Sequence, residues 1–260
     1  MTTEHSGRSP AERPAGGLAT AVASVTGNTY LIFGTLVLSS LVVLAWPLSP
    51  SGRLGAAIAR TWARGLLLAS GVRVSQGHRA LPDPAATYVY MPNHQSRFDI
   101  PVLLATLPGQ VRFLAKRSLL QIPVFGWALR TLGFVPVDRD DRSRARDMFG
   151  VASARLAAGI SLVVFPEGTR GRDGRLLPFQ RGAFLLALRA GCPILPVGLE
   201  GTLRVQPRGS HRITPGRVVV RYGEPVPTAG LGVRDRVPLM SRIRREVATL
   251  AGIERTAEDP

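Results

Sequence analysis

The feature that most constrains the fold of this chain is an alternation of short apolar runs with longer amphipathic segments from residue 72 onward. Strand-like apolar runs occupy residues 87–91, 111–115, 134–137, 161–165, 193–199 and 217–222. Helical segments lie between several of these runs at residues 119–132, 144–158 and 181–190, and another follows at residues 234–250. Strands alternating with helices in this order predict an α/β fold.

Polar side chains follow four of the apolar runs. His94, Lys116, Arg139 and Glu167 each stand just past the end of a strand-like run. In α/β sheets, ligands bind beyond the carboxyl ends of the strands. One edge of the predicted sheet can therefore collect all four side chains, and we expect a functional site there.

The segment NHQSRFD, residues 93–99, contains a histidine five positions before an aspartate. Imidazole takes up and returns a proton near neutral pH, and a carboxylate on its second nitrogen would orient it as a base. A structural interpretation competes, because Ser96 and Asp99 fit a capping box at the start of a helix. Five residues of one straight helix correspond to about 140° of rotation, so His94 meets Asp99 only if it lies in the loop before the helix. The spacing alone leaves both interpretations open.

The chain is strongly basic, with 33 Lys and Arg residues against 17 Asp and Glu residues and a net charge of +16. This charge favours anionic partners such as a phospholipid surface or a phosphorylated substrate. Nucleic acid is disfavoured, because the basic residues are spread along the chain and no zinc-finger or RRM pattern occurs. HExxH, P-loop, GxSxG and GxGxxG motifs are absent from the sequence, so it gives no support for metal hydrolysis, nucleotide binding or serine esterase chemistry.

The first 70 residues have a different composition. Residues 1–28 are rich in Gly, Ala, Ser, Thr and Pro, which predicts a disordered segment. Residues 30–46 are almost wholly apolar, with an aromatic residue at each end, and are near the lower limit of about 17 residues for a spanning helix. In residues 53–68, Arg53, Arg60 and Arg64 share one helical face, which suits an anionic membrane interface or an ordinary surface helix. We therefore predict membrane-associating helices at 29–70 and a catalytic domain at 71–260.

Four segments, taken in order, resemble the glycerolipid acyltransferase family. His94 and Asp99 fit its H-x-x-x-x-D motif, and residues 133–139, 165–170 and 194–198 look like its second, third and fourth blocks. The similarity covers roughly residues 85–200. It is strongest to the 1-acyl-glycerol-3-phosphate (lysophosphatidate) acyltransferases, and it implies their α/β domain with a central mixed sheet.

The resemblance implies acyl transfer from an acyl-CoA or acyl carrier protein thioester to the sn-2 hydroxyl of lysophosphatidate, giving phosphatidate for phospholipid synthesis. It makes His94 the base and Asp99 its orienting partner, and we expect backbone N–H groups near Ser96 to stabilise the oxyanion. The predicted substrate-binding residues are Lys116, Arg139, Glu167, Gly168, Thr169 and Arg170. Neither a metal nor a cofactor is expected. The predicted location is the cell membrane, with the catalytic domain on the cytoplasmic side.

Two alternatives remain open on the sequence. An enzyme that acylates another lyso-lipid, such as a lyso-aminoacyl lipid, would not need the phosphate-binding set. A basic protein that binds membrane surfaces and carries a degenerate site would also fit the charge and the apolar segment. The intact pair of His94 and Asp99 argues against this second alternative.

Overall fold

One seven-stranded sheet organises the fold. The structure is a computed structural model, and it describes residues 17–77, 81–138 and 145–253. The strands are β1 Val72–Gln76, β2 Val89–Pro92, β3 Val111–Lys116, β4 Val135–Val137, β5 Ser161–Val163, β6 Ile194–Glu200 and β7 Gly216–Tyr222. Their order across the sheet is β1-β7-β6-β2-β5-β3-β4, and among these strands only β6 and β7 pair antiparallel. The predicted α/β fold with a central mixed sheet is confirmed.

Helices cover both faces of the sheet. In chain order they are α1 Gly17–Thr29, α2 Thr35–Ala45, α3 Arg53–Ala69, α4 Asp99–Thr106, α5 Phe125–Thr131, α6 Ala145–Ala157, α7 Arg181–Ala190, α8 Thr202–Val205 and α9 Arg236–Ala251. One buried cluster contains Leu66 of α3 and Leu103 of α4. A second cluster contains Phe184 of α7 and Ile243 of α9. The sheet therefore lies between two helical layers.

The central strand β2 shows how both layers use the sheet. Tyr90 belongs to the cluster under α3 and α4, whereas Val89 and Met91 belong to the cluster under α6, α7 and α9. Successive side chains of a strand point to opposite faces, and these three are fully buried. Burial on both faces explains why this segment is continuously apolar instead of alternating.

The predicted helix at residues 119–132 is wrong as a single element. Residues Arg117–Gln121 form a 3-10 turn, and α5 starts only at Phe125. Pro123 forces Ile122 into an extended conformation, and Val124 then adopts a φ of 62°. The edge strand β1, which pairs in parallel with β7, was not predicted at all.

The N-terminal helix begins earlier than predicted. α1, a π-helical turn at Tyr30–Gly34, α2 and a 3-10 turn at Trp46–Leu48 form one continuous helix, Gly17–Leu48. The prediction of disorder is therefore wrong for residues 17–28, while residues 1–16 lie outside the described part of the chain. Tertiary contacts outweigh the composition here. The Ile213 N–H donates to Ser24 Oγ at 2.9 Å, and Asn28 Nδ2 donates to the His211 carbonyl at 2.8 Å.

This helix packs on the domain along one side. α2 contacts α3 and α5, and Trp62 Nε1 donates to Thr35 Oγ1 at 3.0 Å. The helix is long and apolar enough to cross a bilayer, and only 11% of its most apolar window is buried. Its outward side, which we call the apolar belt, exposes Leu18, Val22, Val25, Ile32, Phe33, Leu36, Val37, Leu41, Leu44, Trp46 and Leu48.

Candidate active site

His94 and Asp99 form a hydrogen-bonded pair just beyond the end of β2. His94 Nδ1 and Asp99 Oδ2 are 2.7 Å apart. The Asp99 side chain is fully buried, whereas that of His94 is 13% exposed. Asp99 Oδ2 also accepts two backbone N–H bonds, so we assign it as the acceptor and place the imidazole proton on Nδ1. In this tautomer the basic lone pair of His94 is on Nε2.

Asp99 also organises the loop that carries the histidine. The backbone N–H groups of Gln95 and Ser96 donate to the same Oδ2 at 2.8 and 2.9 Å. Half of the predicted capping box therefore forms, but Ser96 is not the N-cap, because α4 begins at Asp99 and Phe98 precedes it. One carboxylate therefore both orients the imidazole and fixes the loop conformation, and the role of His94 as a base stays a prediction.

Three other polar residues of the motif, Asn93, Gln95 and Ser96, hold the loop in place through hydrogen bonds. Each side chain reaches the backbone of a different segment: Asn93 to Leu199, Gln95 to Gly174 and Ser96 to Gln206. Asn93 both donates and accepts, which replaces ladder bonds where β2 ends beside β6. Asn93 and Ser96 are fully buried. The His94 loop is thus held from three sides by bonds that the sequence did not reveal.

Phe165 stacks on the imidazole ring. The ring centroids of His94 and Phe165 are 3.8 Å apart, and the rings are inclined by 19°. The ring centroid of Phe113 lies 6.5 Å from that of Phe165 with the two rings tilted, and Phe113 stacks on Phe134 at a centroid distance of 5.7 Å. This aromatic row fixes the plane of the imidazole, and Asp99 fixes its rotation within that plane.

Glu167 lies behind the histidine and not in the substrate-facing wall. Its two carboxylate oxygens accept the backbone N–H groups of His94 and Leu177 at 2.7 and 2.8 Å, and Glu167 is 2% exposed. In this position both oxygens join the His94 loop to the segment before α7, and the predicted role of Glu167 in acceptor binding stays a prediction. Burial raises the pKa of Glu167 to about 7, and the two N–H donors offset that effect only in part.

An apolar cavity of 540 Å³ opens beside His94. It extends between α2, α3 and α5, and its apolar wall includes Leu38, Val42, Ile58, Trp62, Leu104, Phe113, Ala128, Leu129, Leu132 and Phe134. Val42, Ala128 and Leu132 also pack together as a small buried cluster. An apolar space with a few polar groups at one end suits a hydrocarbon chain whose reactive carbon lies at His94.

Cationic side chains gather where this cavity meets His94. Lys116, Thr169 and Arg170, all predicted to bind substrate, line the cavity together with Arg97. Arg208 Nη1 donates to the Arg170 carbonyl at 2.8 Å. Burial, followed by the neighbouring charges of Arg97 and Arg208, lowers the pKa of Arg170. Such a group of guanidinium ions is stabilised by binding an anion, because charge-assisted bonds to phosphate are strong.

Sequence reasoning missed three of these residues. Arg97 stands three positions after His94, so its place in the motif was a usable signal. Phe165 begins the FPEGTR segment, but its stacking on the histidine has no sequence signature. Arg208 is far from His94 along the chain, and only the packing of the segment after α8 brings it near Arg170.

Arg139 and Gly168 complete the predicted set. Arg139 lies outside the described residues, so its predicted role stays a prediction. Gly168 has a φ of 72°, a conformation that glycine adopts without strain, and it forms the turn between Glu167 and Thr169. Gly168 therefore shapes the loop that presents Thr169 and Arg170 to the cavity.

The predicted oxyanion donors near Ser96 are already engaged. The N–H groups of Gln95 and Ser96 bind Asp99, and the N–H of Phe98 donates to Ser96 Oγ at 3.2 Å. That prediction is wrong for these three groups, because their N–H bonds hold Asp99 and the loop before α4 in place.

Cys192 is a buried core residue. Burial raises the pKa of its thiol to about 11, which suppresses the nucleophilic thiolate. Within residues 17–77, 81–138 and 145–253, no group of three or more His, Cys, Asp or Glu side chains is arranged to hold a metal ion.

Comparison with known proteins gives consistent matches. A family model described as Acyltransferase matches residues 72–200. The chain is 41% identical over 138 residues to the chloroplastic 1-acyl-sn-glycerol-3-phosphate acyltransferase BAT2 of Brassica napus, covering 53% of this chain and 40% of that protein. It is 37% identical over 182 residues to the human 1-acyl-sn-glycerol-3-phosphate acyltransferase alpha, covering 69% and 64%. The chain thus spans less than two thirds of the length of these curated relatives.

A solved structure shares nearly the whole fold. The crystal structure of the 1-acyl-sn-glycerophosphate (LPA) acyltransferase PlsC from Thermotoga maritima aligns with a TM-score of 0.69 and 28% identity, covering 92% of this chain and 97% of that one. The segment matched by the family model contains His94, Asp99, Lys116 and Arg170, so the match and the site coincide. This chain belongs to the acyltransferase family.

Proposed function

We propose that this protein transfers a fatty acyl group from an acyl thioester to the sn-2 hydroxyl of 1-acyl-glycerol-3-phosphate, giving phosphatidate for phospholipid synthesis. The observation that carries the proposal is the hydrogen-bonded pair of His94 and Asp99 at an apolar cavity whose mouth is cationic. The similarity to 1-acyl-sn-glycerol-3-phosphate acyltransferases and to the LPA acyltransferase structure supports the same acceptor.

His94 serves as the general base. Its Nε2 removes the hydroxyl proton as the hydroxyl oxygen attacks the thioester carbonyl, and Asp99 stabilises the resulting imidazolium through Nδ1. The new C–O bond forms, the C–S bond breaks, and the departing thiolate takes the proton from Nε2. The histidine thereby returns to its starting form, and the reaction needs no covalent acyl-enzyme.

The two substrates approach the histidine from different sides. The acyl chain occupies the apolar cavity, where each buried methylene contributes about 0.8 kcal/mol. Lys116, Arg97 and Arg170 bind the acceptor phosphate, and the Thr169 hydroxyl adds a further donor. Arg139, placed after β4 in the sequence, is a further candidate for this phosphate site. The thiol portion of acyl-CoA or acyl carrier protein stays at the cavity mouth, in water.

The apolar belt lies in a membrane interface. Bonds of Ser24, Asn28 and Thr35 hold the N-terminal helix along the domain. A helix fixed in this way with one apolar side exposed favours insertion into one leaflet over crossing the bilayer. Lysophosphatidate then reaches the site by lateral diffusion in the membrane. The water-soluble donor arrives from the cytoplasm, which places the catalytic domain on that side of the cell membrane.

A direct assay tests the proposed reaction. Purified full-length protein in detergent is supplied with lysophosphatidate and either acyl-CoA or acyl carrier protein thioester, and phosphatidate is measured by mass spectrometry. We expect His94→Ala to lower turnover by roughly a thousandfold, within the range of general-base contributions. His211→Ala is the matched control, because His211 is exposed and, among the described residues, its hydrogen bond is made by its backbone carbonyl and not by its side chain.

Two results would overturn the proposal. A folded His94→Ala variant with near wild-type turnover would exclude His94 as the base. Equal turnover on a phosphate-free lyso-lipid would show that the cations at the cavity mouth do not select a phosphorylated acceptor. Thermal melting of each variant separates loss of chemistry from loss of fold.

A further inference from the structure

A second depression, of 770 Å³, lies at the opposite edge of the sheet from His94. It is lined by α3 and by the segments that lead into β3 and β5, at residues 107–110 and 158–160. The active site lies at the carboxyl ends of these parallel strands, and the depression lies at their amino ends. The length of β3 alone separates the two by about 17 Å. We call this depression the arginine groove.

Three arginines line the groove from one face of α3. Arg53, Arg60 and Arg64 are seven and four residues apart, which keeps them within about 20° of one direction around the helix. Arg60 Nη2 donates to the carbonyls of Leu107 and Gly109, so its guanidinium is fixed in place. The ion pairs found in the described chain involve other groups, so none of these arginines is neutralised by a carboxylate there.

A buried arginine adds charge behind the groove wall. Arg112 is 3% exposed, and its two terminal nitrogens donate to the Val111 carbonyl and to Gln110 Oε1. Gln110 itself lines the groove, and the Nε of Arg112 is buried without a partner among the described residues. Burial, with the charges of Arg155 and Arg60, lowers the pKa of Arg112 to about 10. Positive charge is therefore concentrated here and has no carboxylate ion-pair partner among the described residues.

The groove borders the membrane-facing surface. On α3 the exposed apolar side chains of Leu54 and Leu68 lie about 60° to 100° around the helix from the arginine face. Trp62, which bonds to Thr35 of α2, lies further round in the same direction. An apolar strip therefore connects the apolar belt to the rim of the arginine groove. A headgroup at the level of this rim would meet the guanidinium groups.

We propose that the arginine groove binds the phosphate of an anionic membrane phospholipid, at a site separate from the acceptor site at His94. Arg53 and Arg64 are exposed and bond to no other described residue, so each can form bidentate bonds to phosphate oxygens. Arg60 supplies a fixed third charge. The inference rests on the membrane association proposed above but not on the acyl-transfer chemistry.

Paired substitutions test whether the groove is a discrete site. The full-length protein is mixed with separable vesicles of phosphatidylcholine, with and without phosphatidylglycerol, and its distribution between them is measured. The variants are the double glutamine R53Q/R64Q and the double lysine R53K/R64K, which keeps the charge but loses the bidentate fork. R242Q/R245Q is the matched control, because Arg242 and Arg245 are exposed on α9, on the other face of the sheet.

We expect the glutamine variant to lower the preference for anionic vesicles about tenfold or more, and the control to lower it by less than about threefold. The lysine variant should lose several-fold preference, since a discrete site needs the guanidinium geometry. The proposal is overturned if the lysine variant keeps the full wild-type preference for anionic vesicles. It is also overturned if the glutamine variant and the control lose this preference equally, because both results would mean that charge spread over the surface, and not a discrete site, attracts the protein to the vesicles. Loss of preference on adding inorganic phosphate at constant ionic strength would make the groove a free-phosphate site. Turnover of detergent-dispersed substrates should be the same in all variants and in the wild type. The vesicle measurement does not depend on turnover, so failure of the acyl-transfer proposal would leave this test intact.

Discussion

Replacing Asp99 with asparagine should separate the chemical and structural roles of this carboxylate. The asparagine carbonyl oxygen can take the place of Oδ2 and still accept from His94, Gln95 and Ser96. Its NH2 group then occupies the position of Oδ1, which is buried with no partner among the described residues. An unsatisfied buried donor costs about 1–3 kcal/mol of unfolding free energy. The melting temperature should therefore fall by roughly 2–10 °C, with most of the protein still folded.

The effect on catalysis should be much larger than the effect on stability. In the transition state the imidazolium charge lies about 4 Å from the carboxylate charge, and this attraction is worth about 4 kcal/mol at an effective dielectric constant of 20. Its loss slows the reaction by roughly a thousandfold. The KM for lysophosphatidate should change little, because Asp99 lies behind His94 and does not line the cavity.

Thiol release from acyl-CoA gives kcat and KM for the variant, and a thermal melt gives its stability. Glu200→Gln is the control, since it also removes one carboxylate charge, from a half-exposed pair with Arg221 at 2.8 Å. Such a surface pair contributes about 0–1 kcal/mol to stability and should leave kcat unchanged. The reasoning is refuted if folded Asp99→Asn keeps kcat within about tenfold of the wild type.

Three further variants test the cavity, Glu167 and the apolar belt. Ala128→Phe should fill part of the cavity wall and raise KM for long-chain acyl-CoA, while kinetics with a short-chain donor serve as the internal control. The folded-state pKa of Glu167 is raised from 4.5 to about 7, so its contribution to stability should be greatest below about pH 4.5 and decline by up to about 3 kcal/mol as pH rises through 7. Urea unfolding of Glu167→Gln should lack this decline, and an unchanged slope would contradict the assignment. Wild-type protein should sediment with membranes in high salt, whereas a variant with Phe33 and Leu36 changed to serine should be released more readily.

Most strand positions could be predicted from the sequence, because burial on both faces of a sheet requires apolar residues. The edge strand β1 is the exception. β2 and β6 are covered on both faces, so their residues form continuous apolar runs, and β3 departs from that pattern only at Arg112 and Lys116. α7 was predicted at residues 181–190 and is found at Arg181–Ala190, since its apolar spacing is helical and Gly191 ends it in the left-handed conformation. Parallel pairing of neighbouring strands then puts His94, Lys116 and Arg170 at one edge, which is why the predicted residues meet.

The remaining features depend on tertiary contacts that no local pattern encodes. Residues 17–28 look disordered by composition, but bonds to His211 and Ile213 stabilise them as a helix. Glu167 looks like a substrate ligand in a Gly- and Arg-rich loop, but two backbone N–H groups already occupy its carboxylate. Arg208 has no motif of its own. In each case the partner is distant in the sequence, so its identity appears only once the chain is folded.

The N-terminal helix lies between the exposed apolar belt and the cavity beside His94, although the sequence presented it as a separate segment. The inner side of α2 supplies Leu38, Ser39 and Val42 to the wall of the cavity beside His94. Its outer side supplies Val37 and Leu41 to the apolar belt. With the apolar belt in a membrane interface, as proposed, this one helix would lie between the lipid chains and the cavity. Since transfer of each methylene into water costs about 0.8 kcal/mol, a route along this helix that keeps a long acyl chain out of water would lower the barrier to its entry into the cavity.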